Sequence, residues 1–189
     1  MTKQEILNNA SRIYIELEEY IKNLCQSVNE KDKEKSILDS LDVTLQVMLL
    51  YLSVSNFKVP DIELDFIRLL TTEKDIITLY NKEMNKNYSW DSLREENMEV
   101  EEVKEFIDRT YLLFKPDIDL LVGFLASNDS KTEKNELEYI ESKLREILVL
   151  FTNLSSDYNL KYVDLILNEI FVKKYKSLVS LFKGIDFKL

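Results

Sequence analysis

The sequence predicts an all-α fold, and three observations carry that prediction. The chain has 189 residues but only two glycines and two prolines. Antiparallel sheets need tight turns, usually rich in Gly, Asn-Gly or Pro, and this chain can furnish few. Apolar residues also recur at alternating three- and four-residue spacing along most of the sequence, the period of an amphipathic helix. Finally, residues 51–70 lie over residues 124–143 without a gap, at an offset of 73. Leu52, Lys58, Glu63, Leu64 and Ile67 recur as Leu125, Lys131, Glu136, Leu137 and Ile140. Each copy has an apolar helix end, a short polar turn and an acidic helix start. This is the pattern of a duplicated helix–turn–helix unit. We expect one domain over residues 1–189, of about seven or eight helices, because no low-complexity linker interrupts the pattern.

Thr2 and Glu5 form a Thr-x-x-Glu capping box that starts the first helix. Ile6, Ala10, Ile13, Leu17, Tyr20 and Leu24 give its apolar stripe, and the helix is expected to reach about Val28. Residues 29–35 read as a charged connector. A second helix is expected from Ser36 to Ser53, with Ile37, Leu38, Leu41, Leu45, Met48, Leu49 and Leu52 inward. Pro60 suits the first position of a third helix carrying Ile62, Phe66, Ile67 and Leu70. Thr71 or Thr72 is the expected cap of a fourth, with Ile76, Ile77, Tyr80 and Met84. Residues 85–99 carry the weakest pattern, and Ser92 with Glu95 could cap a short helix there. The next helix is expected over Val100–Phe114, ended by Lys115-Pro116, with Pro116 restarting the chain as the helix of the second copy. A long helix from Glu133 to about Leu154 uses Leu137, Ile140, Leu144, Ile147, Leu148 and Phe151. A last helix over Leu160–Lys183 ends at Gly184, suited to a left-handed cap.

Composition narrows the function more than any motif. There is no histidine, which removes Ser-His-Asp and Cys-His catalysis, His-ligated zinc and the ordinary general base near neutral pH. Cys25 is the sole cysteine, so no internal disulfide forms, in keeping with a reducing compartment. Gly123 and Gly184 are isolated, leaving no glycine-rich phosphate cradle. The net charge of −10 opposes nucleic-acid binding and favours a basic protein partner. The N-terminus lacks an apolar signal core, and the apolar run at Val43–Leu52 falls short of the roughly 20 residues a membrane span needs. The expected location is the cytoplasm, and the Lys-, Asn- and Ile-rich composition suggests a bacterial source. An enzyme built on this chain would work with carboxylates, Lys or Tyr. A carboxylate-metal hydrolase would need three or more convergent acids.

Each repeat places a polar turn residue seven positions before a carboxylate: Asn56 and Glu63 in the first copy, Asp129 and Glu136 in the second. Carboxylates before and within a helix's first turn can converge on a divalent cation, since hard cations take several oxygens. The bland alternative is that Glu63 and Glu136 only complement the helix dipole and cap its free N–H groups. The turn is not an EF-hand: a loop ending on Glu138 would carry Lys131 where an acid belongs and no glycine at its sixth position.

These residues resemble the tellurite-resistance TerB-like family. Its motif reads roughly Asp-Gly-x-(Ile/Val)-x-x-x-Glu and occurs in two related halves of a helical domain. Asp129 and Glu136 match its acidic ends, Val59 its apolar position in the first copy, and Thr132 approximates that position in the second. Phe57 and Ser130 stand where the motif has glycine, and Asn56 where the first copy would have aspartate. The resemblance covers about residues 36–154, leaving flanking helices at 1–30 and 158–184. It implies a helical protein without established enzymatic activity, linked to stress response and partner assembly, with a cation site at Asp129, Glu136, Asn56 and Glu63.

Two charged segments are candidate contact surfaces. Residues 91–108 hold eight acids and two bases, a net −6, against a protein of net −10. Glu95, Glu96, Glu99, Glu101, Glu102 and Glu105, with Trp90 as an aromatic anchor, would form a docking face for a basic partner. The alternative is a solvated helix, which such charge runs usually are. Residues 173–189 are net +4 with interleaved apolar residues. They could lie on an anionic membrane surface, but a core-packed last helix with lysines at its C-terminal end explains them as well. The expected function is thus a non-catalytic interaction protein of the TerB-like type. The alternative is an acidic immunity protein or antitoxin that masks a basic toxin.

Overall fold

A computed structural model describes residues 1–54, 61–70, 75–94, 99–126 and 133–152. Every regular element among these residues is helical, as the composition and periodicity predict. The order is α1 (Lys3–Ser27), a single 3₁₀ turn (Lys31–Lys33), α2 (Glu34–Val54), α3 (Asp61–Leu69), α4 (Ile76–Met84), α5 (Trp90–Arg94), α6 (Val100–Ala126) and α7 (Glu133–Thr152). The chain divides into two compact units, one of Met1–Leu38 with Leu120–Leu189 and one of Asp39–Asp119. Of the first unit's C-terminal part, the description ends at Thr152. The expected last helix, its Gly184 cap and the basic segment 173–189 lie outside the described residues.

In the first unit, α1 starts with the expected capping box. The Glu5 amide donates to Thr2 Oγ1 (3.2 Å), and the Thr2 amide donates to Glu5 Oε2 (2.7 Å). The bond from the Thr2 amide holds the Glu5 carboxyl below its ordinary range, so this contribution to stability is present above that range and fades as pH falls. Ile6, Ala10, Ile13, Leu17, Ile21 and Leu24 are buried, a clean helical stripe. The helix closes as Asn29 turns left-handed (φ 61°), while the Glu30 amide reaches back to the Cys25 carbonyl at 2.8 Å.

The stripe of α1 packs along α7, where Ile140, Leu144, Ile147, Leu148 and Phe151 are buried. Tyr20 meets Tyr139 with ring centroids 4.3 Å apart, and Lys143 lies 3.5 Å from Glu16. As one helix number rises the other falls, so α1 and α7 run antiparallel. Glu141 is nearly buried on α7, and Arg145 neutralises it one turn on at 2.8 Å.

Cys25 is fully buried beside this stripe, and burial pushes its thiol up from an ordinary 9.0 to about 11. The unfolded chain therefore loses this proton first as pH rises. Stability should fall from about pH 9 toward 11, and Cys25→Ala should flatten that slope in urea melts. The native thiol should also resist aromatic disulfide reagents until the protein unfolds.

In the second unit, α2 departs from the expected single apolar face. Leu41 and every residue from Val43 to Leu50 are buried, Thr44 and Gln46 included. Polar side chains on a helix buried around its whole circumference are costly unless they hydrogen-bond inside the protein. Two such bonds are made here, while Gln46 Oε1 is buried without a partner. Thr44 Oγ1 donates back to the Ser40 carbonyl at 2.6 Å. Gln46 Nε2 donates to the Leu70 carbonyl at 2.8 Å, tying α2 to the end of α3. Phe66, Ile67 and Leu70 bury the inner side of α3. Its outer side carries Arg68, which pairs with Asp91 on α5 at 2.9 Å.

Three expected boundaries are corrected. The cap of α4 is Asp75 rather than Thr71 or Thr72, which lie outside the described residues: its carboxylate accepts from the Ile77 amide (3.0 Å) and the Thr78 hydroxyl (3.0 Å). The serine that precedes α5 is Ser89 rather than Ser92. The Ser92 amide donates to Ser89 Oγ (3.1 Å), and Ser92 Oγ accepts from the Ser89 amide (2.7 Å), a reciprocal arrangement that a serine can close as well as a glutamate.

The third correction is larger. Pro116 does not break the chain into two helices; α6 runs unbroken from Val100 to Ala126. Proline removes one helical donor and crowds the carbonyl four residues back, that of Leu112. Both residues lie on the exposed side of α6, where water can take over the lost bond. Pro116→Ala should restore the bond and raise stability by about 1–3 kcal/mol, seen as a higher melting temperature with unchanged helicity.

The described parts of each copy are helical on both sides of the turn: α2 and α3 in the first copy, α6 and α7 in the second. Ile67 and Ile140, equivalent in the alignment, are both buried. The copies then diverge, for α3 has nine residues and α7 has twenty.

Candidate functional site

Of the acidic segment expected to dock a partner, residues 91–94 belong to α5, 95–98 lie outside the described residues, and the remainder from Glu99 forms the start of α6. Val100 is its first residue, so Glu99 stands at the N-cap. The Glu99 amide donates to Glu102 Oε2 at 3.2 Å, half of a capping box. Glu101 and Glu102 lie in the first turn, where a carboxylate complements the helix dipole. Part of the acid content therefore has a local, structural reason.

What the cap does not explain is the stripe that follows. Glu101, Glu105, Asp108 and Leu112 are spaced by four, three and four residues, and each is exposed. Opposite them, Phe106, Thr110, Tyr111 and Phe114 are buried. Phe106 seats against Tyr80, with centroids 4.5 Å apart, and edge-on to Tyr88 at 6.0 Å. Burial raises the Tyr80 hydroxyl above its ordinary range. Asn81 fixes the chain before α5: its Nδ2 donates to the Tyr88 carbonyl (2.7 Å) and its Oδ1 accepts from the Tyr88 amide (2.9 Å). A packed aromatic inner face thus fixes which carboxylates of α6 point to solvent. Glu105 has Arg109 one turn on at 3.8 Å, a long, exposed pair that leaves the stripe predominantly negative. Leu112 is 62% exposed and ends the acidic row with an apolar group.

Of the expected docking residues, Glu99, Glu101, Glu102 and Glu105 come together at this helix start and are exposed. Trp90 is half-buried at the first position of α5. Glu95 and Glu96 lie outside the described residues. Leu112 was not legible as part of the surface, because a helix expected to stop at Phe114 draws attention to its inner stripe. The signal was present in the spacing 101, 105, 108, 112.

The proposed cation ligands are not brought together in anything described. Asn56 and Asp129 lie outside the described residues, and so do the side chains of Glu63 and Glu136. Among the described residues, no three His, Cys, Asp or Glu side chains gather as a metal-ligand set. No described helix is long and apolar enough to cross a membrane.

No family model matches the chain, and comparisons with curated proteins and with solved structures find no match either.

Proposed function

We propose that this chain is a non-catalytic interaction protein that docks a basic partner on the α6 stripe of Glu101, Glu105, Asp108 and Leu112. The observation that carries the reading is the exposure of three carboxylates and one leucine along a single face of a helix whose other face is packed. Such a row suits a partner segment with lysines or arginines spaced to match and one apolar residue for Leu112. The absence of histidine and of any glycine-rich loop makes a docking role more economical than a catalytic one.

Within that reading, the protein would act as a cytoplasmic module of the TerB-like kind. The helices on both sides of each turn, α2 and α3 in the first copy and α6 and α7 in the second, are in keeping with the duplicated pattern on which the resemblance rests. The reading does not depend on a bound cation. The second reading, an immunity protein or antitoxin, draws on the same stripe, since masking a basic toxin needs a concentrated negative surface.

Capture at low salt tests the proposal, using the unmutated chain and a Glu101→Gln, Glu105→Gln, Asp108→Asn variant side by side. Retention of a basic protein by the first and not the second supports docking through the stripe. Equal retention by both overturns it. A single partner held stoichiometrically and very tightly identifies a neutraliser; several weakly held partners identify a module of the TerB-like kind.

A further inference from the structure

The outward face of α6 continues one turn past Leu112. Glu101, Glu105, Asp108, Leu112 and Pro116 are spaced by four, three, four and four residues, so they share one side of the helix, and all five are exposed. Pro116 is the residue of this face that local physics explains least. Proline carries the largest intrinsic penalty of any residue in a helix interior. A buried proline can recover part of that cost by packing, but Pro116 is exposed, well inside a helix of 27 residues. Breaks with local rules that bring no packing gain tend to fall at functional positions.

What Pro116 supplies is an acceptor. The Leu112 carbonyl would ordinarily accept from the amide four residues on, and proline has no N–H to give. That carbonyl therefore lacks its helical donor, at the end of a row of three exposed carboxylates. The two cations that flank it are drawn elsewhere on the same helix. Arg109 lies 3.8 Å from Glu105, and Lys115 donates to Asp119 at 2.6 Å. A surface carbonyl without its helical donor is held by water until a better donor displaces it.

We propose that Pro116 is a specificity-determining residue of the α6 docking face: it holds open the Leu112 carbonyl, which accepts an N–H from a lysine or arginine of the basic partner. The inference rests on the docking role proposed above and adds one contact to it. The row then presents four acceptors, three carboxylates and one carbonyl, to cationic side chains at matching intervals. The carbonyl differs from its neighbours in one respect. Its contact is a short-range hydrogen bond to a dipole, so salt weakens it less than the attraction of the exposed carboxylates. The contribution of Pro116 should therefore persist at an ionic strength that has removed most of theirs.

The test is calorimetric titration of the full chain, at low and moderate salt, with an oligo-arginine peptide long enough to span the face, about 22 Å from Glu101 to Pro116. Pro116→Ala gives position 116 an N–H that closes the Leu112 carbonyl. It should weaken binding about tenfold at both salt levels, the loss of one charge-assisted hydrogen bond. The same variant should melt higher than the unmutated chain, so weaker binding cannot be ascribed to a damaged fold. Lactic acid at position 116 keeps the methyl group of alanine but puts an ester oxygen where alanine has its N–H. It reopens the carbonyl without restoring the ring, and should recover the affinity. Equal affinity of the unmutated chain and Pro116→Ala overturns the inference, as does an ester variant that binds no better than Pro116→Ala. In either case, loss of binding on neutralising Glu101, Glu105 and Asp108 leaves the docking role standing. Failure of the unmutated chain to bind the peptide at low salt overturns both.

Discussion

Phe106→Ala should cost about 3–5 kcal/mol of stability, the cost of truncating a buried aromatic. Phe106 is fully buried and its ring lies against both Tyr80 and Tyr88. Aromatic pairs add about 0.5–1.5 kcal/mol beyond the area they bury, so Phe106 loses more than an isolated core leucine would. A domain of this size has only about 5–15 kcal/mol in total. Urea denaturation followed by far-ultraviolet circular dichroism should therefore show a large fall in midpoint. Leu112→Ala, on the opposite face of the same helix, should shift it by less than about 0.5 kcal/mol. Similar shifts for the two variants would mean that α6 does not present the faces described.

The largest functional effect should come from reversing charge on the stripe. Lysines at Glu101, Glu105 and Asp108 replace three attractions with three repulsions. At about 1 kcal/mol for each exposed attraction removed, neutralising all three should already weaken a basic partner by about a hundredfold. Reversal should abolish binding at the same protein concentration. The first change to appear should be in association rate, because charges at an interface steer encounter before they hold the complex. The unmutated protein should associate more slowly as salt rises, and the neutralised variant should be nearly indifferent to salt. Surface plasmon resonance across an ionic-strength series reads both. The helix itself should survive, since the cap uses Glu99 and Glu102 and neither is changed.

Much of this fold was legible in the sequence because its signals are local. Thr2 and Glu5 are three residues apart, and their reciprocal bonds need nothing from the rest of the chain. The α1 stripe was equally plain, because one face of that helix packs along a single neighbour. The burial of α2 was only half legible. Periodicity picks out one apolar face, whereas Val43, Val47 and Leu50 are buried as well, a consequence of neighbours brought in from distant sequence. Pro116 misled for a related reason. Its local preference is to end a helix, and exposure of Leu112 and Pro116 together is a tertiary fact that lets the helix continue. The acidic surface was visible as a charge run, but which of its carboxylates form one row depends on the helix frame fixed by Phe106.

Photo-cross-linking from a single position tests the docking account most directly. A benzophenone side chain at Leu112 sits at the end of the acidic row, and one at Leu69, equally exposed on α3, serves as the control. Position 112 should cross-link a basic protein at low salt, position 69 should not, and neutralising Glu101, Glu105 and Asp108 should remove the product. Equal cross-linking from both positions, or a product at 112 that survives neutralisation, would contradict docking on the α6 stripe.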